Sequence, residues 1–255
     1  MSTRQDNARP EESFADTVRR LAGAQKPPAK GSPAYSRFVN RKIGRIIAAA
    51  AYQLGMTPNQ VTYISAGFSA AAIAAIALAQ PHWWVGILIA VGLLLGYAFD
   101  SADGQLARLR GGGTPAGEWL DHVVDSIKTT ALHLAVLIGW YRHYDISHIE
   151  LLLIPIGFTL VASVFFFVQI LTDQLRRAHP DRAPAPADSS AGATLRSILV
   201  IPTDYGVLCA IFVLFAWPSI FAGAYVALLA GTTLFLCAAL PKWYREIRRF
   251  HEPAA

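Results

Sequence analysis

The chain has 255 residues, of which 54% are hydrophobic and 15% charged, and its mean hydropathy is +0.37. Soluble domains carry about 25% charged residues, so the composition excludes an ordinary soluble domain and indicates one membrane domain with short polar additions. The net charge of +5 is not a nucleic-acid footprint, because the basic residues lie in loops between apolar runs, where membrane topology accounts for them.

In chain order, the first 32 residues are polar and contain no apolar core of the length a secretory signal needs. Residues 1–34 read as a flexible cytoplasmic N-terminus that ends in a Pro- and Gly-containing linker over 25–34. The stretch 35–56 places Arg37, Arg41, Lys42 and Arg45 among apolar residues at helical spacing. It reads as a juxtamembrane amphipathic helix, or else as an extension of the first spanning helix. A domain over 57–241 follows, with apolar runs at about 58–80, 83–108, 118–141, 151–173, 198–217 and 219–240. Each approaches the roughly 20 residues needed to cross a bilayer. The runs are continuous rather than alternating, so an all-α protein of six transmembrane helices is expected and a β-barrel is not. Residues 242–255 read as a basic tail. Cys209 and Cys237 lie inside apolar runs, form no ligand spacing, and read as packing residues.

The lysines and arginines fix an orientation. The first 57 residues carry ten, and Arg108, Arg110, Arg176, Arg177, Arg182, Arg196, Lys242, Arg245, Arg248 and Arg249 lie on the same side. Arg142 alone is opposite, and Lys128 lies within the third run. Both termini are therefore expected in the cytoplasm and the protein in the cell membrane.

Carboxylates inside spanning helices are costly and mark function. Asp100 and Asp103 close the second run, and Asp121 and Asp125 open the third. Spacings of three and four put Asp100, Asp103, Gly104, Ala107 and Arg108 on one helical face, and Gly117, Asp121, Asp125 and Lys128 on another. The short loop LRGGGTPA (109–116) makes the two helices antiparallel neighbours. Four converging carboxylates demand cations, and hard divalent ions with oxygen ligands, Mg²⁺ or Mn²⁺, suit a site shared with a diphosphate. Gly104, Ala107 and Gly117 leave room for a ligand, and Arg108 offers a fork for a phosphate. The glycines at 111–113 read as a tight connection rather than a phosphate-cradling loop, since no strand precedes them. The EF-hand spacing fails for DSADG, which would put Phe99 at the first ligand position. His122, His133, His143 and His148 show no ligand pattern.

The full spacing, D100-x2-D103-G104-x2-A107-R108-x8-G117-x3-D121-x3-D125, resembles the signature of the CDP-alcohol phosphotransferase family at all eight fixed residues. TPNQVT (57–62) is similar to a segment near that family's nucleotide pocket. The resemblance implies six transmembrane helices and two metal ions. It makes Asp100, Asp103 and Asp121 metal ligands, and Asp125 both a ligand and the catalytic base. It makes Gly104, Ala107, Arg108 and Gly117 contacts to the cytidine-diphosphate donor, with Thr114, Asn59 and Thr62 nearby. The implied reaction is transfer of a substituted phosphoryl group from a CDP-alcohol, CDP-diacylglycerol or another, to an acceptor hydroxyl with release of CMP, in phospholipid synthesis. A homodimer embedded in membrane lipid is expected.

Lys128, one turn past Asp125, either serves the acceptor or phosphates or balances the aspartates. Arg196, Thr203 and Asp204 are candidates for the acceptor pocket by position. The acceptor itself stays open. GEWLDHVVDS (117–126) resembles choline and ethanolamine phosphotransferases, SRFVNRKIGR resembles enzymes making inositol-based phosphodiesters, and Ser126 stands where relatives using phosphorylated polyols place a basic residue. A non-lipid, inositol-based product is thus one alternative. A cation-coupled transporter is another, and it would spread its carboxylates along a midplane pathway.

Overall fold

The computed structural model describes residues 13–23, 33–144, 148–182 and 200–251. Among these residues there is no strand. Eight α-helices follow one another: α1 (Phe14–Gly23), α2 (Arg41–Gln53), α3 (Pro58–Leu78), α4 (Trp83–Leu109), α5 (Pro115–His143), α6 (Leu153–Ala178), α7 (Tyr205–Ala210) and α8 (Pro218–Arg248). A π-helical turn, Ser36–Asn40, leads into α2.

Among the described residues, five helices are long and apolar enough to cross a membrane: α3, α4, α5, α6 with its lead-in from Ile149, and α8. Large apolar side chains such as Leu88, Leu160, Phe167 and Leu234 point outward, as lipid-facing surface requires. The molecule is a multi-pass membrane protein. The described part of the fifth apolar run contains the apolar helical stretch Tyr205–Leu214, half the length of a span, which Asp204 caps at Tyr205 and which tightens to 3-10 geometry at Ile211–Leu214.

Local sequence sets the boundaries around the motif. Thr57 caps α3 in a reciprocal box with Gln60, and Pro58 occupies the first helical position. Thr114 caps α5 by accepting from Gly117 N at 3.1 Å, again followed by proline. Between them, α4 stops where Gly112 N bonds to Ala107 O at 2.9 Å. Gly111 and Gly112 have φ values of 98° and 129°, which glycine alone adopts cheaply.

Two apolar clusters flank the motif along α4. One joins Ile89 and Leu93 to Ile76, Leu132, Val136, Phe158, Phe212 and Tyr225. The other joins Ala102 and Leu106 to Leu21, Ala48, Ala49, Ala51 and Val61. In the second cluster α2 lies close against α4: a Cβ on Gly44 would stand 2.8 Å from Ser101 Oγ, so a larger residue would force the helices apart. Asn40 Nδ2 donates to Tyr97 O and Gln105 Nε2 to Arg41 O, each at 3.1 Å. These contacts hold α2 over the half of α4 that carries the aspartates.

A left-handed Gly55 (φ 70°) and the Thr57 cap separate α2 from α3, so α2 is not an extension of the first spanning helix. Two further features depart from the sequence reading. Helix α1 stands within the stretch read as flexible, with Thr17 and Leu21 buried. Helix α8 runs on through Pro241 to Arg248 in what read as tail, and Arg176 on α6 holds it with a two-pronged pair to Glu246 (2.7 and 2.9 Å).

Candidate metal and donor site

Helices α4 and α5 bring the motif carboxylates together next to the short Gly-rich loop. Single oxygens of Asp100, Asp121 and Asp125 all lie within 4.8 Å of one another. Asp103 is 5% exposed and stands outside this trio, and Thr62 on α3 donates to its Oδ2 at 2.5 Å. The expected set of four is therefore a converging three plus one carboxylate held from the side. Lys128 Nζ lies 2.5 Å from Asp100 Oδ1, 2.6 Å from Asp125 Oδ1 and 3.4 Å from Ser65 Oγ. An all-oxygen donor set of close carboxylates suits a hard divalent cation and not a soft one.

Two cavities meet at these carboxylates. The first, about 1290 Å³ with its open mouth, is lined by Asp103 and Asp121 and by all seven expected donor contacts: Asn59, Thr62, Gly104, Ala107, Arg108, Thr114 and Gly117. A Cβ on Gly104 would meet nothing closer than Arg108 Nη1 at 3.6 Å, so packing within the chain does not require a glycine there. At Gly117 a Cβ would come within 3.2 Å of Thr114 Oγ1 and 3.3 Å of Asn59 Oδ1. The cleft also contains Arg110, His122 and Arg177, which sequence reasoning did not nominate. Arg110 follows Arg108 by two, a spacing that on a helix leads off the motif face, so its place in the cleft depends on where α4 ends. Arg177 comes from α6, where it pairs with Glu118, and nothing local in the sequence signals it.

The second cavity, about 900 Å³, opens on the other side of the cluster and is lined by Asp100, Asp125 and Lys128. The rest of its wall is largely apolar and aromatic: Tyr97, Leu132, Phe158, Phe165, Phe166, Tyr205 and Leu208. Thr203 and Asp204 reach it as well. Asp204, however, is 1% exposed and accepts from Tyr35 N at 2.7 Å and Gly206 N at 3.0 Å, so its carboxylate is engaged as a helix cap and chain tie. Arg196 lies outside the described residues. Of the histidines, His133 is buried, with Nδ1 2.6 Å from Tyr225 Oη and its ring stacked on Phe158. His122 lies 3.7 Å from Glu118.

The phosphatidylinositol phosphate synthase of Corynebacterium glutamicum is 36% identical over 118 residues, which cover 46% of this chain and 51% of that protein. The archaetidylinositol phosphate synthase of Pyrococcus horikoshii is 31% identical over 112 residues, 44% and 54% of the two chains. The chain thus spans about half the length of the curated relatives it matches. The crystal structure of the Mycobacterium tuberculosis phosphatidylinositol phosphate synthase with CDP-DAG bound superposes with a TM-score of 0.52 at 20% identity, over 85% of this chain and 98% of that one. That likeness establishes the shared fold. The CDP-alcohol phosphatidyltransferase family profile matches residues 55–240, most of the chain and the whole of the motif. The chain belongs to the CDP-alcohol phosphatidyltransferase family.

Proposed function

We propose that this protein transfers the phosphatidyl group of CDP-diacylglycerol to the hydroxyl of an acceptor alcohol, releasing CMP, as a step of phospholipid synthesis. The observation that carries the reading is the meeting of two unlike cavities at one carboxylate cluster. A polar, arginine-bearing cleft touches Asp103 and Asp121, and an apolar, aromatic cavity touches Asp100 and Asp125. The first fits a nucleoside diphosphate and the second the hydrocarbon of a lipid. The lipid-synthesising relatives support the same donor class. The clustering of the carboxylates favours this reading over a cation-coupled transporter, whose carboxylates would be spread along a pathway.

Asp100, Asp103, Asp121 and Asp125 would hold Mg²⁺ or Mn²⁺, two ions in this reading. When bound, the ions neutralise the diphosphate and the charge developing on the leaving CMP. Arg108 binds a phosphate oxygen, and Gly104 and Ala107 let the cytidine end approach the α4 backbone. Thr62 orients Asp103. The acceptor oxygen attacks the phosphorus that bears the diacylglycerol, the bond from that phosphorus to the bridging oxygen breaks, and CMP departs. Asp125, which lines the apolar cavity and has an oxygen within 4.8 Å of one on Asp121 of the cleft, takes the acceptor's proton. Lys128 holds Asp100 and Asp125 in place from the apolar side. The basic loops support a cleft facing the cytoplasmic side of the cell membrane.

The test is CMP release by purified protein in lipid nanodiscs, given CDP-diacylglycerol with a panel of polyols, polyol phosphates and amino alcohols. Turnover that stops with EDTA and returns with Mg²⁺ or Mn²⁺ is expected. Absence of CMP with every acceptor, or full turnover in EDTA after stripping of bound metal, overturns the proposal.

A further inference from the structure

Beneath the donor cleft lies a second layer of contacts that the transfer chemistry does not itself require. Arg110 closes α4, with its N–H bonded to Leu106 O (3.1 Å) and Ala107 O (3.2 Å), and its side chain lines the cleft. The Arg110 guanidinium lies 5.6 Å from the centre of the Tyr52 ring on α2. The same ring carries the guanidinium of Arg20, from α1, at 5.2 Å. Helix α1 is anchored by Leu21, 2% exposed, in the cluster that contains Ala102 and Leu106 of the motif helix. It lies wholly before residues 55–240, the part of the chain that the family profile covers.

We propose that α1 is a positioning element for the donor cleft, acting through Tyr52 to hold Arg110 at the rim, where its guanidinium meets a phosphate of a nucleoside diphosphate. The electrostatics favour such a relay. A ring face attracts each cation, and the anchored Leu21 keeps α1, and with it Arg20, beside the ring. Two guanidiniums on one ring also repel each other, which a phosphate at Arg110 relieves. Arg110 in turn precedes the two left-handed glycines, so its placement bears on the backbone of the whole 110–113 turn. Arg20 and Tyr52 are thus positioning residues that touch no substrate. A contact of this kind at a partly exposed site corresponds to about two- to fivefold in affinity.

The proposal rests on the donor reading of the cleft, and two measurements keep the two claims apart. The first is hydrogen exchange on the full, ligand-free chain in nanodiscs, comparing wild type with Tyr52→Leu and Arg20→Ala. The amides of 110–113 are expected to exchange faster in both variants, while those of α5 beyond Asp121 stay unchanged. The second is calorimetric binding of CDP with Mg²⁺, where each variant is expected to bind two- to fivefold more weakly. In turnover, KM for the CDP donor should rise with kcat unchanged. Adding Arg20→Ala to Arg110→Ala should weaken CDP binding no further. Unchanged exchange at 110–113 in both variants overturns the proposal, and so does a full additional loss in the double variant. Faster exchange at 110–113, with CDP failing to bind even to wild type, supports the positioning role and refutes the donor reading instead.

Discussion

Replacing Thr62 with valine removes one hydroxyl from the site and leaves the shape of the side chain nearly unchanged. That hydroxyl has a single proton and two acceptors in reach: Pro58 O at 3.2 Å and Asp103 Oδ2 at 2.5 Å. The much shorter contact to a carboxylate takes it. A charge-assisted bond of this kind contributes about 1.5–3 kcal/mol, and Asp103, at 5% exposure, has little water to replace it. With a factor of ten per 1.4 kcal/mol, the full loss corresponds to roughly 10- to 150-fold. It should divide between the stability of the metal-free chain and the affinity for divalent ion and CDP. The assay pairs Mn²⁺ binding by electron paramagnetic resonance with CDP binding by calorimetry and a thermal melt in detergent. Thr62→Ser, which keeps the hydroxyl, should stay within a few-fold of wild type. If Thr62→Val matches wild type in Mn²⁺ affinity, CDP affinity and melting temperature together, the hydroxyl does not hold Asp103 and the reasoning fails.

Three other outcomes are expected. Asp125→Asn keeps size and removes proton acceptance, so single-turnover rates should fall by about 10²–10⁴ while CDP binding changes far less; near-normal turnover would place the base elsewhere. Gly104→Ala should leave the melting temperature equal or higher, because alanine is favoured over glycine in a helix by about 1 kcal/mol and its Cβ meets nothing closer than 3.6 Å. Donor KM should nonetheless rise at least tenfold, and an unchanged KM would show that the nucleotide does not pass over this residue. Single cysteines placed in the 80–83 and 217–219 turns should react with impermeant reagents only from the outside of cells, and labelling only from the cytoplasmic side would invert the orientation.

The motif was legible because its logic is local. Spacings of three and four on two helices, joined by a short loop, determine which faces meet before any tertiary contact is known. That is why Gly104, Ala107, Arg108, Thr114 and Gly117 fall in one cleft. What escaped depends on distant partners. Thr62 was nominated through its neighbours in TPNQVT, yet its bond to Asp103 spans 41 residues. Lys128 reaches Asp100 across 28 residues, and Arg177 enters the cleft from α6 with Glu118 as its partner. Helix α1 is short and polar on average; Phe14, Val18 and Leu21 recur at helical spacing, but the cluster with α2 and α4 against which Leu21 is buried lies far along the chain. The regular helix within the fifth run is shorter than its hydropathy suggests for a different reason. Hydropathy counts apolar residues, whereas the helix length there is set by the Asp204 cap and the tightening at Ile211–Leu214.

The tie from Tyr35 N to Asp204 joins residues 169 apart, and this has a consequence for the order of assembly during synthesis. At about 5–20 residues per second, the ribosome makes Asp204 on the order of ten to thirty seconds after Tyr35. By then α3, α4 and α5 have been made, and with them nearly all of the donor cleft. The apolar cavity cannot be walled until α7 arrives and its capping aspartate captures the waiting juxtamembrane segment. The nascent protein therefore acquires its polar cleft first and its apolar cavity last. Chains arrested before residue 204 are expected to hold CDP while leaving Tyr35 and its neighbours open to protease, and protection of that segment in such chains would contradict this order.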